Sequence, residues 1–258
     1  MESEEQKSVE AISLADLLSE ERLREICESE MDLYWTDDWS PEFYVSLARH
    51  GFISVAVEMM PGLDLLLPQM QPDYAVLDWP DLRVSRSMRR WMRKPECVDA
   101  GYELVVGFET SAVHAGIAKH HAGDNWMSSR YLELLEELSR WDSNRGDDFE
   151  LMPIGLVNGA GELAAGEMGY RYGRVYTSLT GFCDRERTNT GTLQLFKLGE
   201  YLRDAGFAFW NLGQPFMQYK FDLGAVSVPR GQFLEKWNTH VSEPFDARPI
   251  HAVHPRND

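Results

Sequence analysis

Cysteine is scarce in this chain. Cys27, Cys97 and Cys183 stand far apart with no CxxC spacing, which points to reduced thiols and not to a disulfide framework or a zinc site. No run of about 18 apolar residues occurs, so no segment is long enough to cross a bilayer as a helix. The acidic start, Met1-Glu-Ser-Glu-Glu5, lacks the apolar core of a signal peptide, and a cytoplasmic location with no membrane partner is expected. Positive charge is also short: 25 Lys and Arg face 42 Asp and Glu, a formal net charge of −17. That balance argues against broad binding to DNA or RNA, whose affinity comes mainly from counterion release. A local patch that holds one folded RNA remains compatible with it, and the acidity favours cationic partners such as a basic protein terminus.

Signature loops are missing as well. There is no Walker, dinucleotide or G-x-S-x-G pattern. His114, His120 and His121 lack carboxylate or thiolate neighbours that would complete a ligand set, so no metal is expected. Cys183 lies beside Arg185 and Arg187 without a paired histidine and reads as an inert thiol. The segment 185–191 offers a single glycine, Gly191, a poor cradle for the pyrophosphate of coenzyme A. No cofactor is expected.

Against this background one block is dense in cations: Arg83-Val-Ser-Arg-Ser-Met-Arg-Arg-Trp-Met-Arg-Lys94. On a helix, Arg86, Arg89, Arg90 and Arg93 share one face, while Met88, Trp91 and Met92 lie on another arc. A solvated face that offsets nearby acids fits this pattern, and so does a phosphate contact.

The hydrophobic fraction of 43% and aromatic fraction of 12% suffice for a large core. Residues 1–12 read as polar and mobile. Helical spacing over 13–26 lines up Leu14, Leu17, Leu18, Leu23 and Ile26 behind a Ser13 cap. Ser40-Pro41 restarts a helix to Arg49. Strands are expected at 52–57, 63–67 and 74–77, then the basic helix. Beyond Pro95 follow a strand at 102–106 and a helix at 109–119. An amphipathic helix comes next, with Tyr131, Leu134, Leu135 and Leu138 on one side. A three-strand meander covers 151–157, 163–171 and 174–180. A helix at 190–204, a buried strand at 207–212 and a final helix led by 228–236 complete the pattern. It predicts an α+β fold, divided into an acidic extension (1–39), a small α/β domain (40–95), a larger domain (96–242) and an irregular tail (243–258).

Several blocks, in order, resemble the leucyl/phenylalanyl-tRNA–protein transferase family. Ser40-Pro-Glu-Phe-Tyr44 with Gly51-Phe52 is similar to its opening helix, and Asp73-Tyr-Ala-Val-Leu77 through Arg90 matches most closely. Asn125-Trp-Met-Ser128 resembles Thr-Trp-Ile-Thr. Gly166-Glu-Met-Gly-Tyr170 resembles a Gly-Gly-x-Tyr-Gly hairpin. Leu223-Gly-Ala225 with Val228-Pro-Arg230 and Phe233 resembles Leu-Gly-Ala-x-x-Ile-Pro-Arg-x-x-Phe. The resemblance implies a fold like the GNAT acyltransferases for 96–242. It also implies transfer of an aminoacyl group from tRNA to an amine, such as a protein N-terminus. By the same resemblance Trp126 stacks on the terminal adenosine. Met168, Tyr176, Leu193 and Phe196 line the aminoacyl pocket, and Arg86, Arg89, Arg90 and Arg93 meet the tRNA.

The match departs at the chemistry. The family's Gly-Glu-Ser-Met-Phe reads Ser178-Leu-Thr-Gly-Phe182, which puts Leu179 at a functional glutamate. Its Leu-Ile-Asp-Cys-Gln strand reads 209–214, with Asn211 or Leu212 at the aspartate and Gln214 retained. Thr188-Asn-Thr190 replaces Ala-Ser-Lys. Asn211 and Gln214 are therefore the expected catalytic pair, able to orient an amine or an oxyanion but not to act as a base. Asp184 and Asp222 flank the altered blocks and are the candidates for a substitute carboxylate. The competing readings are a non-catalytic binder of tRNA or a protein terminus, and a coenzyme A-dependent GNAT-like acyltransferase.

Overall fold

The computed structural model describes residues 9–123, 126–141 and 148–245. Residues 1–8, Asn125 of the resemblance, and the tail with His251 and His254 lie outside them. β1 (Glu10–Ala11) pairs in parallel with β2 (Tyr34–Trp35). The helix expected over 13–26 is two helices, α1 (Leu14–Leu18) and α2 (Glu20–Glu28). Ser19 between them is extended and its side chain accepts the Arg22 N–H, so it caps the second helix and breaks the first. Leu17 and Ile26 reach the core, whereas Leu18 is 75% exposed, outside the expected stripe.

At α3 (Pro41–Arg49) the Ser40 side chain accepts the Phe43 N–H and Pro41 occupies the first turn. The helix buries Phe43, Tyr44, Val45, Leu47 and Ala48. β3 (Ile53–Met60) and β4 (Leu63–Gln69) form a separate hairpin. β5 (Asp73–Leu77) follows, then α4 (Arg86–Trp91), α5 (Pro95–Val98), β6 (Glu103–Val106), α6 (Thr110–His120) and α7 (Ser129–Leu138). Tyr131, Leu134, Leu135 and Leu138 of α7 are buried, as their spacing predicts. The meander is β7 (Phe149–Val157), β8 (Leu163–Tyr172) and β9 (Val175–Cys183). The chain closes with α8 (Thr190–Ala205), β10 (Phe209–Asn211), α9 (Gln218–Leu223), β11 (Val226–Pro229) and α10 (Arg230–Val241).

Seven strands form the main sheet in the order β11-β5-β10-β9-β8-β7-β6. Mixed helices around this largely antiparallel sheet make the fold α+β. β5 stands between β10 and β11, so the sheet takes strands from both sides of the division expected at Pro95. Pro95 opens the one-turn α5 instead. Phe43, Tyr131, Leu135, Met168, Tyr170, Phe233 and Trp237 share one core on the side of α3, α6, α7 and α10. Tyr176, Leu198, Leu202 and Trp210 form another beneath α8. Among the described residues no helix is long and apolar enough to cross a membrane.

Candidate functional site

β9 and β10 are parallel, joined through α8, and they stay paired for three residues: Val175, Tyr176 and Thr177 against Phe209, Trp210 and Asn211. β9 then continues to Cys183 with β8 alone as its neighbour. Residues 178–183 are half-buried, unlike the fully buried 175–177. The strands thus open into a fork, floored by Thr177 and Asn211. Parallel strands commonly bind ligands where they part.

Asn211 is fully buried at the floor. Its amide donates to Thr177 Oγ1 at 3.3 Å, and its carbonyl oxygen accepts the Gly213 N–H at 3.0 Å. These two bonds fix the turn after β10. Gln214, at the mouth, is half-buried and donates to Gln69 Oε1 at 3.0 Å, which also accepts from Gln71 at 2.7 Å. This leaves the Gln214 side-chain oxygen as an acceptor. Lys220 on α9 is buried and ties the same turn, donating to the carbonyls of Leu212 at 2.6 Å and Gln214 at 2.7 Å. Burial lowers the Lys220 ammonium to about 8.

Neither suggested substitute carboxylate reaches the fork. Asp184 pairs with Arg187 at 3.0 Å and Asp222 accepts from Gln218 at 3.0 Å. The acid that does arrive is Glu167 of β8, 3% exposed. It accepts from Tyr176 Oη at 2.9 Å, Ser178 Oγ at 2.7 Å and Gln194 Nε2 of α8 at 3.0 Å. Ser178 Oγ in turn accepts from Trp210 Nε1 at 2.8 Å. Burial pushes the Glu167 carboxyl above its ordinary range, against its hydrogen bonds and the nearby Lys220 cation. The Tyr176 phenol is raised far as well, so it stays a donor. A Cβ at Gly169 would lie 2.7 Å from the Thr177 carbonyl and collide with the Tyr176 hydroxyl. That glycine makes room for the Tyr176–Glu167 bond. Spacing along the chain does not reveal Glu167: it reads as one residue of a hairpin motif, and only the pairing of β8 with β9 brings it to Ser178.

The expected pocket residues divide. Met168 and Glu167 are adjacent on β8 and point to opposite faces. Met168 joins the core under α6, Tyr176 the core beneath α8, and Leu193 a third cluster with Val84, Met88 and Leu156. Phe196 packs on that third cluster and lines two adjoining grooves along α8. Trp126 is half-buried and stands edge-on to Tyr131, with ring centroids 5.1 Å apart. The three histidines bind carbonyls: His114 to Met127, His120 to Cys183 and His121 to Gly181. His120 and His121 tie the end of α6 to the free half of β9, and His114 ties α6 to the segment before α7.

The basic helix is shorter than its spacing suggests. α4 ends at Trp91, capped at its start by Ser85, and Arg93 lies in the following turn. Met88 is buried, with Trp91 and Met92 packed beside it, and all four predicted arginines are exposed. Arg89 and Arg93 join Arg83 and Arg203 around a groove of about 300 Å³, also lined by Leu82, Val84, Met92 and Phe196. Arg86 and Arg90 are outside that lining. Arg83 donates to the Phe221 carbonyl and Arg203 pairs with Asp204 at 2.7 Å. Arg89 and Arg93 bind no partner among the described residues.

A model of the leucyl/phenylalanyl-tRNA protein transferase family matches residues 76–238, more than half of the chain. Similar solved structures include L-PGS from Bacillus licheniformis, at 12% identity and a TM-score of 0.43, covering 66% of this chain and 65% of that one. Another is the C-terminal DUF2156 domain of an Agrobacterium fabrum protein assigned as a lysylphosphatidylglycerol synthetase. It has 13% identity and a TM-score of 0.41, covering 74% of this chain and 63% of that one. The chain therefore spans less than two thirds of the length of either structure. No curated protein sequence matches it.

Proposed function

The chain belongs to the leucyl/phenylalanyl-tRNA protein transferase family, and on that premise we propose that it moves an aminoacyl group from aminoacyl-tRNA to an amine. The acceptor is a peptide or protein N-terminus, or a small amine. The reading assigns the protein to the cytoplasm, where charged tRNA is found. One observation carries it. A chain with a net charge of −17 keeps two guanidinium groups that have no partner among the described residues, Arg89 and Arg93, at a groove of about 300 Å³ shared with Arg83 and Arg203. Such a groove suits phosphate, which guanidinium groups meet with paired N–H donors.

Aminolysis of an ester needs a neutral amine, a stabilised oxyanion and a proton for the leaving ribose oxygen. The ester is already activated, so holding the two reactants together supplies much of the rate. In this reading the Gln214 side-chain oxygen receives an N–H of the incoming amine. Asn211 and Lys220 hold the turn that carries Gln214. Trp126, half-buried beside Tyr131, is the aromatic surface for the terminal adenosine. Phe196 and Leu193 on α8 are the apolar wall for the aminoacyl group.

Transfer of radiolabelled amino acids tests the reading, with a panel of charged tRNAs as donors and peptides of varied N-termini as acceptors. The expected result is label on peptides with a free N-terminus and none on their acetylated forms. Retained tRNA affinity with no transfer from any donor, including to small amines, would replace the enzyme with a binding protein.

A further inference from the structure

We propose that Ser178 and Glu167 form a proton relay at the fork, with Ser178 Oγ touching the incoming amine and Glu167 receiving its proton. The inference rests on the transferase reading and supplies the proton acceptor that Asn211 and Gln214 cannot be.

Hydrogen-bond bookkeeping at Ser178 gives the direction. A hydroxyl has one donor and two lone pairs. Its proton goes to Glu167 at 2.7 Å, and one lone pair accepts from Trp210 Nε1 at 2.8 Å. No described residue donates to the remaining lone pair. Ser178 is half-buried, and it is the first β9 residue beyond the paired floor of the fork. What it can take from the fork is therefore an N–H, which is what an attacking amine presents.

Glu167 is the only buried carboxylate among the described residues. Its donors are a phenol, a hydroxyl and an amide, with no Arg or Lys in hydrogen-bond reach. A carboxylate held by neutral donors can take a proton without breaking an ion pair. Tyr176 on β9 and both Tyr219 and Lys220 on α9 are the titratable groups that face it. β7, β10 and α8 present Ile154, Trp210 and Gln194, none of which titrates. Burial raises the carboxyl, as a base working near neutrality requires.

The step balances. The neutral amine attacks the ester carbonyl carbon, forming the C–N bond and leaving charge on the carbonyl oxygen. An N–H proton passes to Ser178 Oγ as the serine proton passes to Glu167. The oxyanion collapses, the bond to the ribose oxygen breaks, and that oxygen takes its proton back from Glu167 through Ser178. Ester and amine become amide and alcohol, and Glu167 is again ionised.

Glu167→Gln keeps the shape and an oxygen for Tyr176 and Ser178 but cannot accept the proton. With the full-length protein and the charged tRNA that supports transfer, its kcat should fall about 100-fold or more. The acid limb of the kcat–pH profile should vanish while KM for aminoacyl-tRNA stays unchanged. Ser178→Ala should match it, and Ser178→Thr, which restores a hydroxyl, should recover most of the rate. If Glu167→Gln does not fold, the half-buried Ser178 pair carries the same test. A folded Glu167→Gln that keeps wild-type kcat and its acid limb overturns the relay and makes Glu167 a packing strut. Absence of transfer by the wild type overturns the transferase reading, and the relay with it.

Discussion

Glu167 and Arg171 lie four residues apart on β8, on the same face, with 3% and 6% of their surface exposed. Arg171 is surrounded by opposite charge and carbonyls. It donates to Asp148 Oδ1 at 2.6 Å, Glu150 Oε2 at 3.1 Å and the Gly173 carbonyl at 3.0 Å, and the Phe245 ring lies 4.8 Å from its guanidinium. Glu167 has neutral donors alone. The difference is one of reversibility. A guanidinium never gives up its proton, and two carboxylates lock it as a tie between β8 and the start of β7. A carboxylate among neutral donors is held as firmly in place, yet its proton affinity is left free to act. One buried charge stabilises the sheet, and the other is available for chemistry.

Charge removal at the two sites should therefore separate stability from activity, and the largest effect is catalytic. Glu167→Gln should lose about 10²–10⁴-fold in transfer rate while melting at or above the wild-type temperature. Its raised carboxyl means that ionisation costs folding stability, a cost fully absent below the unfolded pKa and growing as pH rises through the folded one. The glutamine variant should hence gain on wild type in thermal midpoint between acid and neutral pH. Loss of the midpoint at pH 7 would place Glu167 with Arg171 as a structural group.

Arg171→Met should show the reverse. Chemical denaturation is expected to reveal a loss of about 2–4 kcal/mol, since several charged hydrogen bonds disappear from a buried position. Transfer per folded molecule should stay at the wild-type level. A fall in kcat equal to that of Glu167→Gln would break the contrast.

Arg89 and Arg93 in the arginine groove extend the comparison to cations with no partner among the described residues. Arg89→Glu combined with Arg93→Glu should weaken tRNA binding about tenfold at physiological salt and reduce the salt slope by about 2. Arg86→Glu with Arg90→Glu, outside the groove lining, should do less. Equal effects from the two pairs in filter binding would return α4 to a general electrostatic face.

Lys220 gives the smallest signal. The unfolded chain holds its ammonium proton up to about 10.5, whereas the folded protein releases it near 8. Unfolded chains thus bind more protons across that window, and stability should rise with pH from about 8 to 10.5. Lys220→Met should remove this rise from urea midpoints measured across the window. An unchanged slope would mean that the ammonium is not held by burial in the turn.

Much of the architecture was readable from local signals. Ser40-Pro41 opened α3 and the spacing of Tyr131, Leu134, Leu135 and Leu138 gave the buried stripe of α7, because caps and apolar periods act within a few residues. Leu18 failed because Ser19 can cap as well as continue a helix, and capping won. The basic cluster was legible as a block of charge but not as two pairs, since its helix stops at Trp91 and Arg93 turns toward α8. The missing carboxylate was sought at Asp184 and Asp222, near in sequence to the altered positions. The buried carboxylate bonded to Ser178, Glu167, stands on the neighbouring strand instead.

The sequence by itself determined the family, the α+β order of elements, the scarcity of positive charge and the place of the arginines. Order of blocks, net charge and short-range periodicity are all linear properties. The tertiary structure alone decided which polar groups meet. Antiparallel pairing sets Glu167 against the far half of β9, and the early end of β10 opens the fork beside Ser178. Burial then decides the chemistry, because the cost of charge in a low-dielectric interior depends on what surrounds a carboxyl and not on its neighbours along the chain.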